Sequence, residues 1–238
     1  MSKADQQFVT MCRDILDHGT TTEGQKVRPV WEDGTPAYTI KNFGVTARYD
    51  LREEFPALTL RRTALKSAMD EILWIYQKKS NNVHDLNSHI WDEWADETGS
   101  IGKAYGYQIG QKSHYAEGDF DQMDRVLYDL KHTPYSRRIM TNTYVFSDLS
   151  EMHLYPCAYS VMYNVCQYAI LLMMVAQSVD MIAGELLHVI ADAHIYDRHV
   201  DIIRELIERP QFAAPKVTLN PDVHDFYAFT TDDLIVEG

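Results

Sequence analysis

The chain has 238 residues, of which 45% are apolar and 24% charged, as in an ordinary globular protein. Its net charge of −13 argues against a nucleic-acid-binding protein, because a surface that binds phosphate backbones is normally basic. The three cysteines, Cys12, Cys157 and Cys166, have no CxxC spacing and predict neither a disulfide framework nor a metal site. There is no apolar signal core and no run of about 18 apolar residues, so we expect a cytoplasmic protein that binds neither DNA nor a membrane.

The first third of the chain contains two predicted helices. Apolar residues at spacings of three and four predict one helix from Ala4 to Asp17 and a more fully buried one from about Thr63 to Tyr76. Weak alternation from Val45 to Leu51 predicts a strand. Arg28 lies before Pro29 in a polar loop, where it could reach a phosphate, although solvent exposure is the commoner role of such an arginine.

Polar and aromatic pairs follow. Asp70 and Glu71 are neighbours on the second helix, and we expect one of them to point inward, because so apolar a helix cannot expose both. A buried carboxylate needs partners or a raised pKa and is then a candidate proton relay, whereas a carboxylate at the helix rim is only solvated. Trp91 and Trp94 are three residues apart and share one helical face. They are either core residues, which is the commoner case, or a platform for a flat aromatic ligand.

Two signals for an anionic substrate lie in the second half. Arg137 and Arg138 precede a β-rich run that extends to Phe146, and two adjacent guanidiniums can bind a dianion bidentately; a solvated surface pair is the alternative. Cys157 follows Pro156, whose fixed φ places it in a turn suited to a nucleophile, and a buried, inert thiol is the alternative.

The remaining pattern predicts further helices and strands without a repeat, a low-complexity tract or a linker. We therefore predict one α+β domain spanning 1–238. The further helices are predicted at 119–130, 167–181 and 199–208, and the further strands at 185–190, just before Asp192 to Tyr196, and at 216–219.

Several motifs occur along the chain in this order: Glu71-Ile72-Leu73-Trp74, Ile90 to Trp94, Tyr105-Gly106, Ser136-Arg137-Arg138, Asp148-Leu149, Pro156-Cys157, Asn164 to Ala169 and Asp192 to Tyr196. The ordered set resembles the thymidylate synthase family over nearly the whole chain. Ala158-Tyr159 follows Pro156-Cys157 where most members carry histidine, which resembles a divergent bacterial branch. The resemblance implies a mixed β-sheet packed with helices, with the sheets forming a two-fold dimer interface.

The resemblance also implies the chemistry, which is the reductive methylation of dUMP to dTMP with 5,10-methylenetetrahydrofolate as co-substrate, giving dihydrofolate. Cys157 matches the nucleophile that adds to carbon 6 of uracil, and nearby arginine charge is expected to lower its pKa. Glu71 matches the buried carboxylate that transfers protons, with Tyr105 nearby. The reduced folate supplies both the carbon unit and the hydride, so no flavin, nicotinamide or metal is required.

The resemblance further assigns the binding residues. Arg28 matches the N-terminal phosphate arginine, whereas Arg137 and Arg138 match a pair that reaches the phosphate of the partner subunit in a homodimer. The remaining matches are Asn164 to the uracil amide edge, His194 and Tyr196 to the ribose hydroxyl, and Trp91 to the folate.

The chain departs from the family at two places. Only seven positions separate Cys157 from Asn164, where the family has a strand, an Arg-Ser phosphate contact and an aspartate that touches the folate. The apolar C-terminal tail that closes over the folate is also missing. We expect a segment to be lacking near 163–166, either because disordered stretches are omitted or because the protein is a deletion form. Omission is favoured, because losing a strand should cost more than the about 5–15 kcal/mol that stabilises a domain.

Two other functions remain open from the sequence. A pyrimidine-nucleotide hydroxymethylase on the same fold would release the carbon unit without reducing it, although Asn164 argues against the cytidylate version. A non-catalytic nucleotide-binding or dimer-forming relative would have lost a phosphate arginine and the closing tail.

Overall fold

A computed structural model describes residues 1–160 and 165–238. The α-helices of these residues are α1 (Lys3–His18), α2 (Leu65–Ile72), α3 (Gly106–Ile109), α4 (Gln122–His132), α5 (Val165–Ser178) and α6 (Val200–Ile207). The strands are β1 (Thr20–Thr21), β2 (Thr39–Asp50), β3 (Ser113–Tyr115), β4 (Gly118–Phe120), β5 (Glu185–Tyr196), β6 (Lys216–Leu219) and β7 (Leu234–Glu237).

A first compact unit comprises Met1–Thr63 and Glu185–Lys216, with Gly238. Strands β1, β2 and β5 form an antiparallel sheet in that order, and β2 pairs with β5 from Thr39–Tyr196 to Asp50–Glu185. Helix α1 begins where the Ser2 hydroxyl accepts the N–H of Asp5. Its apolar face joins β5 and α6 in one core of buried side chains, which are Val9, Cys12, Ile15, Leu60, Ala193, Ile195 and Ile207.

A second unit comprises Ala64–Gly184 and Val217–Glu237. Helix α2 packs against α5 and continues as a π-helical turn at Leu73–Gln77. The side chains of Met69, Trp74, Ile170 and Met174 are completely buried here, so both helices are inaccessible over much of their circumference. Separate two-stranded sheets are formed by β3 with β4 and by β6 with β7.

Most of the predicted elements are confirmed, with shifted bounds. Helices α1, α2, α4, α5 and α6 and strand β6 lie where apolar periodicity predicts them, whereas β2 starts earlier than predicted and β5 extends through Tyr196. The β-rich run predicted after Arg138 is wrong. Within the described residues, 139–160 takes part in two isolated bridges, Asn142 with Ser160 and Met152 with Gly102, and forms a 3-10 helix at Phe146–Glu151. A strand persists only where a neighbouring strand pairs with it, and local sequence does not supply that neighbour.

Some expectations stay predictions. Residues 161–164, where we expect a missing segment, lie outside the described part of the chain, and the single domain is not tested by the division into units. None of the helices described is long and apolar enough to cross a membrane. Absence of DNA binding and a cytoplasmic location also stay predictions.

Candidate active site

Glu71 lies on α2 and is only 8% exposed. The indole nitrogen Nε1 of Trp91 donates a hydrogen bond to its Oε1 over 2.9 Å. Asp70 is equally buried and accepts hydrogen bonds of 2.9 Å from both the backbone and the side-chain amide of Asn87. Both carboxylates therefore point inward, whereas the sequence predicted one, because each has its own donor.

The ring of Trp91 lies in an aromatic cluster of the second unit. Its centroid is 5.9 Å from that of Trp74, 5.6 Å from that of Trp94 and 5.1 Å from that of Tyr105. These separations and tilted angles are those of favourable aromatic pairs. Trp91 is buried, whereas Trp94 is half-buried, so the cluster is part core and part accessible aromatic surface. Trp91 therefore matches the core interpretation, whereas a platform for a flat ligand stays a prediction.

Tyr105 has an unusual backbone conformation next to a required glycine. Its φ is +40°, a value that side chains other than glycine rarely adopt. A Cβ on Gly106 would lie 2.0 Å from the carbonyl oxygen of Ser80, so only glycine fits at that position. This conformation directs the buried Tyr105 phenol to the backbone N–H of Cys157, which donates to it over 2.9 Å. Burial raises the pKa of Tyr105, so the phenol is neutral in the physiological range.

Cys157 is exposed on a segment that is anchored on both sides. Before it, the N–H of Lys103 donates to the carbonyl of Glu151 over 2.9 Å. After it, the N–H of Thr143 donates to the carbonyl of Tyr159 over 2.8 Å. The backbone around the thiol is therefore fixed by hydrogen bonds although the segment contains little regular structure.

The described cysteines differ in exposure. Cys12 is 2% exposed in the core of the first unit, and burial raises the pKa of its thiol to about 11. Cys157 is exposed beside Tyr105. Of these two thiols, only that of Cys157 is accessible to a ligand, and its role as the nucleophile stays a prediction.

The three predicted phosphate arginines all lie on the surface. Arg28 belongs to the first unit, and Arg137 and Arg138 belong to the second. None of them forms an ion pair with a carboxylate among the residues that the structure describes. In contrast, Arg125 pairs with two carboxylates, and Arg198 pairs with one. The three free guanidiniums are therefore available to an anionic ligand.

His194 and Tyr196 lie together at the end of β5 in the first unit. Their ring centroids are 5.2 Å apart with an angle of 88° between the planes. Nδ1 of His194 lies 3.1 Å from the carbonyl oxygen of Asp192. The imidazole is exposed and the phenol is half-buried, so both rings can reach a ligand. Asn164, the predicted uracil-binding residue, lies outside the described residues.

The structure also shows residues that the sequence interpretation missed. Asn87 supplies both donors to Asp70, and Trp31 packs its ring against Tyr196 at 5.7 Å. The Asp33-Gly34 dipeptide, which is typical of tight hairpins, was the available signal for the loop that carries Trp31. No cluster of three or more His, Cys, Asp or Glu side chains suited to a metal ion occurs within 1–160 or 165–238, as far as these residues are described.

Comparisons with known proteins place the chain in one family. The family model described as thymidylate synthase matches residues 6–164 and 158–238. Thymidylate synthase of Bacillus subtilis subsp. natto is 40% identical over 262 residues, covering 98% of this chain and 94% of the relative. Thymidylate synthase of Bacillus phage phi3T is 39% identical with the same coverage.

A solved structure is similar over the same extent. Thermostable thymidylate synthase A from Bacillus subtilis superimposes with a TM-score of 0.94, at 38% identity, over 99% of this chain and 95% of that one. The alignments to the relatives span 262 residues against a chain of 238, so the relatives contain residues that this chain lacks. The family match also breaks at 158–164, where its two segments overlap.

Proposed function

The chain belongs to the thymidylate synthase family, and on that premise we propose a role for each residue of its candidate active site. The family, the α+β fold and the methyltransferase activity predicted from the sequence are confirmed by the comparisons. The reaction is the methylation of dUMP to dTMP, with 5,10-methylenetetrahydrofolate as co-substrate. The hydroxymethylase and the non-catalytic relative are not favoured, because the family model and the similar curated proteins are all described as thymidylate synthase.

Cys157 is the nucleophile in this proposal. Its thiolate adds to carbon 6 of the uracil ring, forming a C–S bond, and the electron pair of the C5–C6 double bond moves toward carbon 5 and the carbonyl at carbon 4. Carbon 5 then becomes the nucleophile that takes up the one-carbon unit. The thiolate leaves when the double bond is restored. The observation that carries the proposal is the exposed thiol on a backbone held by the Tyr105 phenol, next to Trp91 and Glu71.

Glu71 and Tyr105 serve the proton transfers. After the carbon unit is attached, carbon 5 must lose its proton, and the developing charge on the carbonyl oxygen at carbon 4 needs a donor. We assign the carboxylate chemistry to Glu71, because it is buried and its orientation is fixed by Trp91. We assign an orienting role to Tyr105, whose neutral phenol can both accept from Cys157 and donate to water.

The folate is bound by aromatic packing. The buried Trp91 and the half-buried Trp94 lie edge to face, and the accessible part of Trp94 offers an aromatic surface that suits a flat heterocycle. When bound, the reduced folate supplies the carbon unit and the hydride. Trp91 packs against it in our proposal and, through its hydrogen bond to Glu71, couples folate binding to the carboxylate.

The nucleotide is bound by the free cations and by the pair of rings on β5. Arg28 contacts the phosphate, while His194 and Tyr196 contact the ribose hydroxyl. Arg137 and Arg138 serve the phosphate of the partner subunit in a two-fold homodimer. Their exposure without carboxylate partners supports these roles. Asn164 keeps its proposed role at the uracil amide edge.

The break in the family match at 158–164 supports the prediction that a segment near 163–166 is lacking. The proposed catalytic and folate-contacting residues, Glu71, Trp91, Tyr105 and Cys157, all precede this break. The phosphate contact expected within the absent segment would then have to be replaced by the three arginines that remain, which makes turnover by this chain an informative measurement.

Tritium release tests the function. Incubation with dUMP labelled at carbon 5 should release tritium to water only when 5,10-methylenetetrahydrofolate is present, and the product should have the mass of dTMP. A product heavier by one oxygen atom would indicate the hydroxymethylase. If the folded protein released no tritium, the non-catalytic relative would be the remaining interpretation.

A further inference from the structure

Residues 29–37 form a tight hairpin, here called the Trp31 hairpin, in the first unit. The N–H of Trp31 donates to the carbonyl of Thr35 over 2.8 Å, and the N–H of Gly34 donates to the carbonyl of Trp31 over 2.8 Å. At its base, the N–H of Ala37 donates to the carbonyl of Pro29 over 3.0 Å. Gly34 has a φ of +78°, which suits this turn. Arg28 immediately precedes the hairpin, so its backbone is tied to a short and rigid element.

The side chain of Trp31 joins this hairpin to the end of β5. Its Nε1 donates to Oδ1 of Asp197 over 3.1 Å. Its ring meets that of Tyr196 edge to face at 5.7 Å and that of His199 at 5.4 Å. Three contacts therefore fix one half-buried indole against Tyr196 and against two residues that follow it.

Arg198 also packs on the Trp31 indole. Its guanidinium lies 5.0 Å from the centroid of the Trp31 ring. Nη2 donates to Oδ2 of Asp33 over 2.7 Å and to the hydroxyl of Thr35 over 2.8 Å. Hydrogen bonds from the Thr35 hydroxyl and from Arg198 hold the pKa of Asp33 at about 2, so the carboxylate stays charged for this contact. Exposed ion pairs alone stabilise little, but here the guanidinium packs on a ring that is already fixed.

We infer that Trp31 is a positioning residue for the nucleotide, which sets the spacing between Arg28 and Tyr196. Arg28 is attached to the base of the Trp31 hairpin, and Tyr196 packs against the indole. A nucleoside monophosphate with a ribose hydroxyl and a phosphate at a fixed separation is the ligand that such a spacing selects. This inference rests on the proposed function, because it assigns a ligand to Arg28 and Tyr196.

Trp31 itself touches no reacting atom in this arrangement. Loss of its packing should weaken binding of dUMP equally in the ground state and in the transition state. KM for dUMP should rise while kcat stays near its wild-type value. A residue needed only for stability would instead lower the melting temperature and leave KM unchanged.

The test uses Trp31→Ala, Trp31→Phe and a matched control, Phe212→Ala. Phe212 is an aromatic residue of the same unit and is 63% exposed. KM, kcat, the dissociation constant of dUMP by calorimetry and the melting temperature are measured for each. Trp31→Ala should raise KM and the dissociation constant by about tenfold, because ring contacts and a hydrogen bond are each worth a few-fold. Trp31→Phe keeps a ring but loses the donor to Asp197, and its increase should be smaller, at about threefold.

A double-mutant cycle with Tyr196→Phe identifies the route. If Trp31 acts through Tyr196, the two increases in the dissociation constant should be less than additive. Wild-type binding of dUMP with no change in either Trp31 variant would overturn this inference and leave the proposed function intact. A wild-type protein that is folded but does not bind dUMP would overturn both. If Trp31→Ala failed to fold, Trp31→Phe would decide the matter by the same comparison.

Discussion

Trp91 donates a hydrogen bond from its indole nitrogen to Oε1 of Glu71 over 2.9 Å, and both side chains are buried. This contact fixes the position of the Glu71 carboxylate relative to the Trp91 ring. A proton-transferring group and a folate-packing ring would thus be parts of one rigid cluster. Substitution of either residue should disturb both functions.

Trp91→Phe tests this coupling. The variant keeps an aromatic ring but removes one donor from the buried carboxylate, so the free energy of unfolding should fall by about 1–3 kcal/mol. We expect kcat to fall by about tenfold or more, because Glu71 loses its fixed orientation. Chemical denaturation and steady-state kinetics measure the two effects. Trp94→Phe is the matched control, and equal losses in both variants would argue against a special role of the hydrogen bond.

Tyr105→Phe keeps the aromatic ring and removes only the hydroxyl group, which accepts a hydrogen bond from the Cys157 N–H. Stability should fall by about 0.5–1.5 kcal/mol, the usual net value of one hydrogen bond. The rate of covalent attachment to the nucleotide should fall by about 10- to 100-fold, because the thiol is no longer held in place. Rapid-quench measurement of the adduct gives this rate. Tyr107→Phe, on a half-buried neighbour, should leave it unchanged, and an unchanged rate in Tyr105→Phe would show that the phenol has no positioning role.

The local parts of the fold could be predicted from sequence, whereas the site geometry could not. Periodicity predicts α1 and α2 because a helical face repeats within a few residues. The φ of +40° at Tyr105 and the bond from Trp91 to Glu71 depend on tertiary neighbours that a single sequence does not identify. The sequence predicts that one of the carboxylates of Asp70 and Glu71 is buried, whereas both are. The sequence alone does not show that Asn87 donates a hydrogen bond to Asp70.

The prediction of a β-rich run after Arg138 is wrong for a related reason. Its composition favours strands, but the described residues of this stretch form only isolated bridges, at 142, 152 and 160. Strand formation depends on a partner, and the segment that we predict to be lacking near 163–166 is where we expect that partner. Cys157 and the arginines could be proposed from sequence because their chemistry is visible in residue type and order, and their roles stay predictions.

Thiol labelling should distinguish the cysteines. A maleimide at pH 7 should modify Cys157 much faster than Cys12, because the first is exposed and the pKa of the second is raised by burial to about 11. Peptide mapping by mass spectrometry follows each site. Saturating dUMP should slow labelling of Cys157 alone. Equal rates at Cys12 and Cys157 in the folded protein would contradict the assigned burial.

The buried thiol also predicts a pH dependence of stability. The pKa of Cys12 is raised from 9.0 to about 11, so the folded state disfavours the thiolate. The contribution of the neutral Cys12 thiol to the free energy of unfolding should be fully present below pH 9. It should be lost as the pH rises through about 11. Between pH 9 and pH 11, the free energy of unfolding measured by denaturant titration should therefore fall less in Cys12→Ala than in wild type. Parallel pH profiles would contradict this assignment.

Mixed dimers test whether the arginine pair acts across subunits. Protein with Cys157→Ala is mixed with protein carrying both Arg137→Ala and Arg138→Ala, after mild denaturation and refolding. If each site takes these arginines from the partner, every mixed dimer has one complete site and one defective site. Mixed dimers are half of all dimers, so the activity should be about a quarter of the wild-type value. If the arginines serve their own subunit, every site remains defective and no activity returns. Each parent alone is the control.

The central claim is that the sulfur of Cys157 bonds to carbon 6 of the nucleotide. Incubation with 5-fluoro-dUMP and 5,10-methylenetetrahydrofolate should trap this bond, because the fluorine at carbon 5 cannot leave as a proton does. The intact mass of the wild-type protein should rise by the sum of both ligands, and Cys157→Ser should stay unmodified. A folded wild-type protein that remains unmodified, or an adduct that persists in Cys157→Ser, would contradict the account.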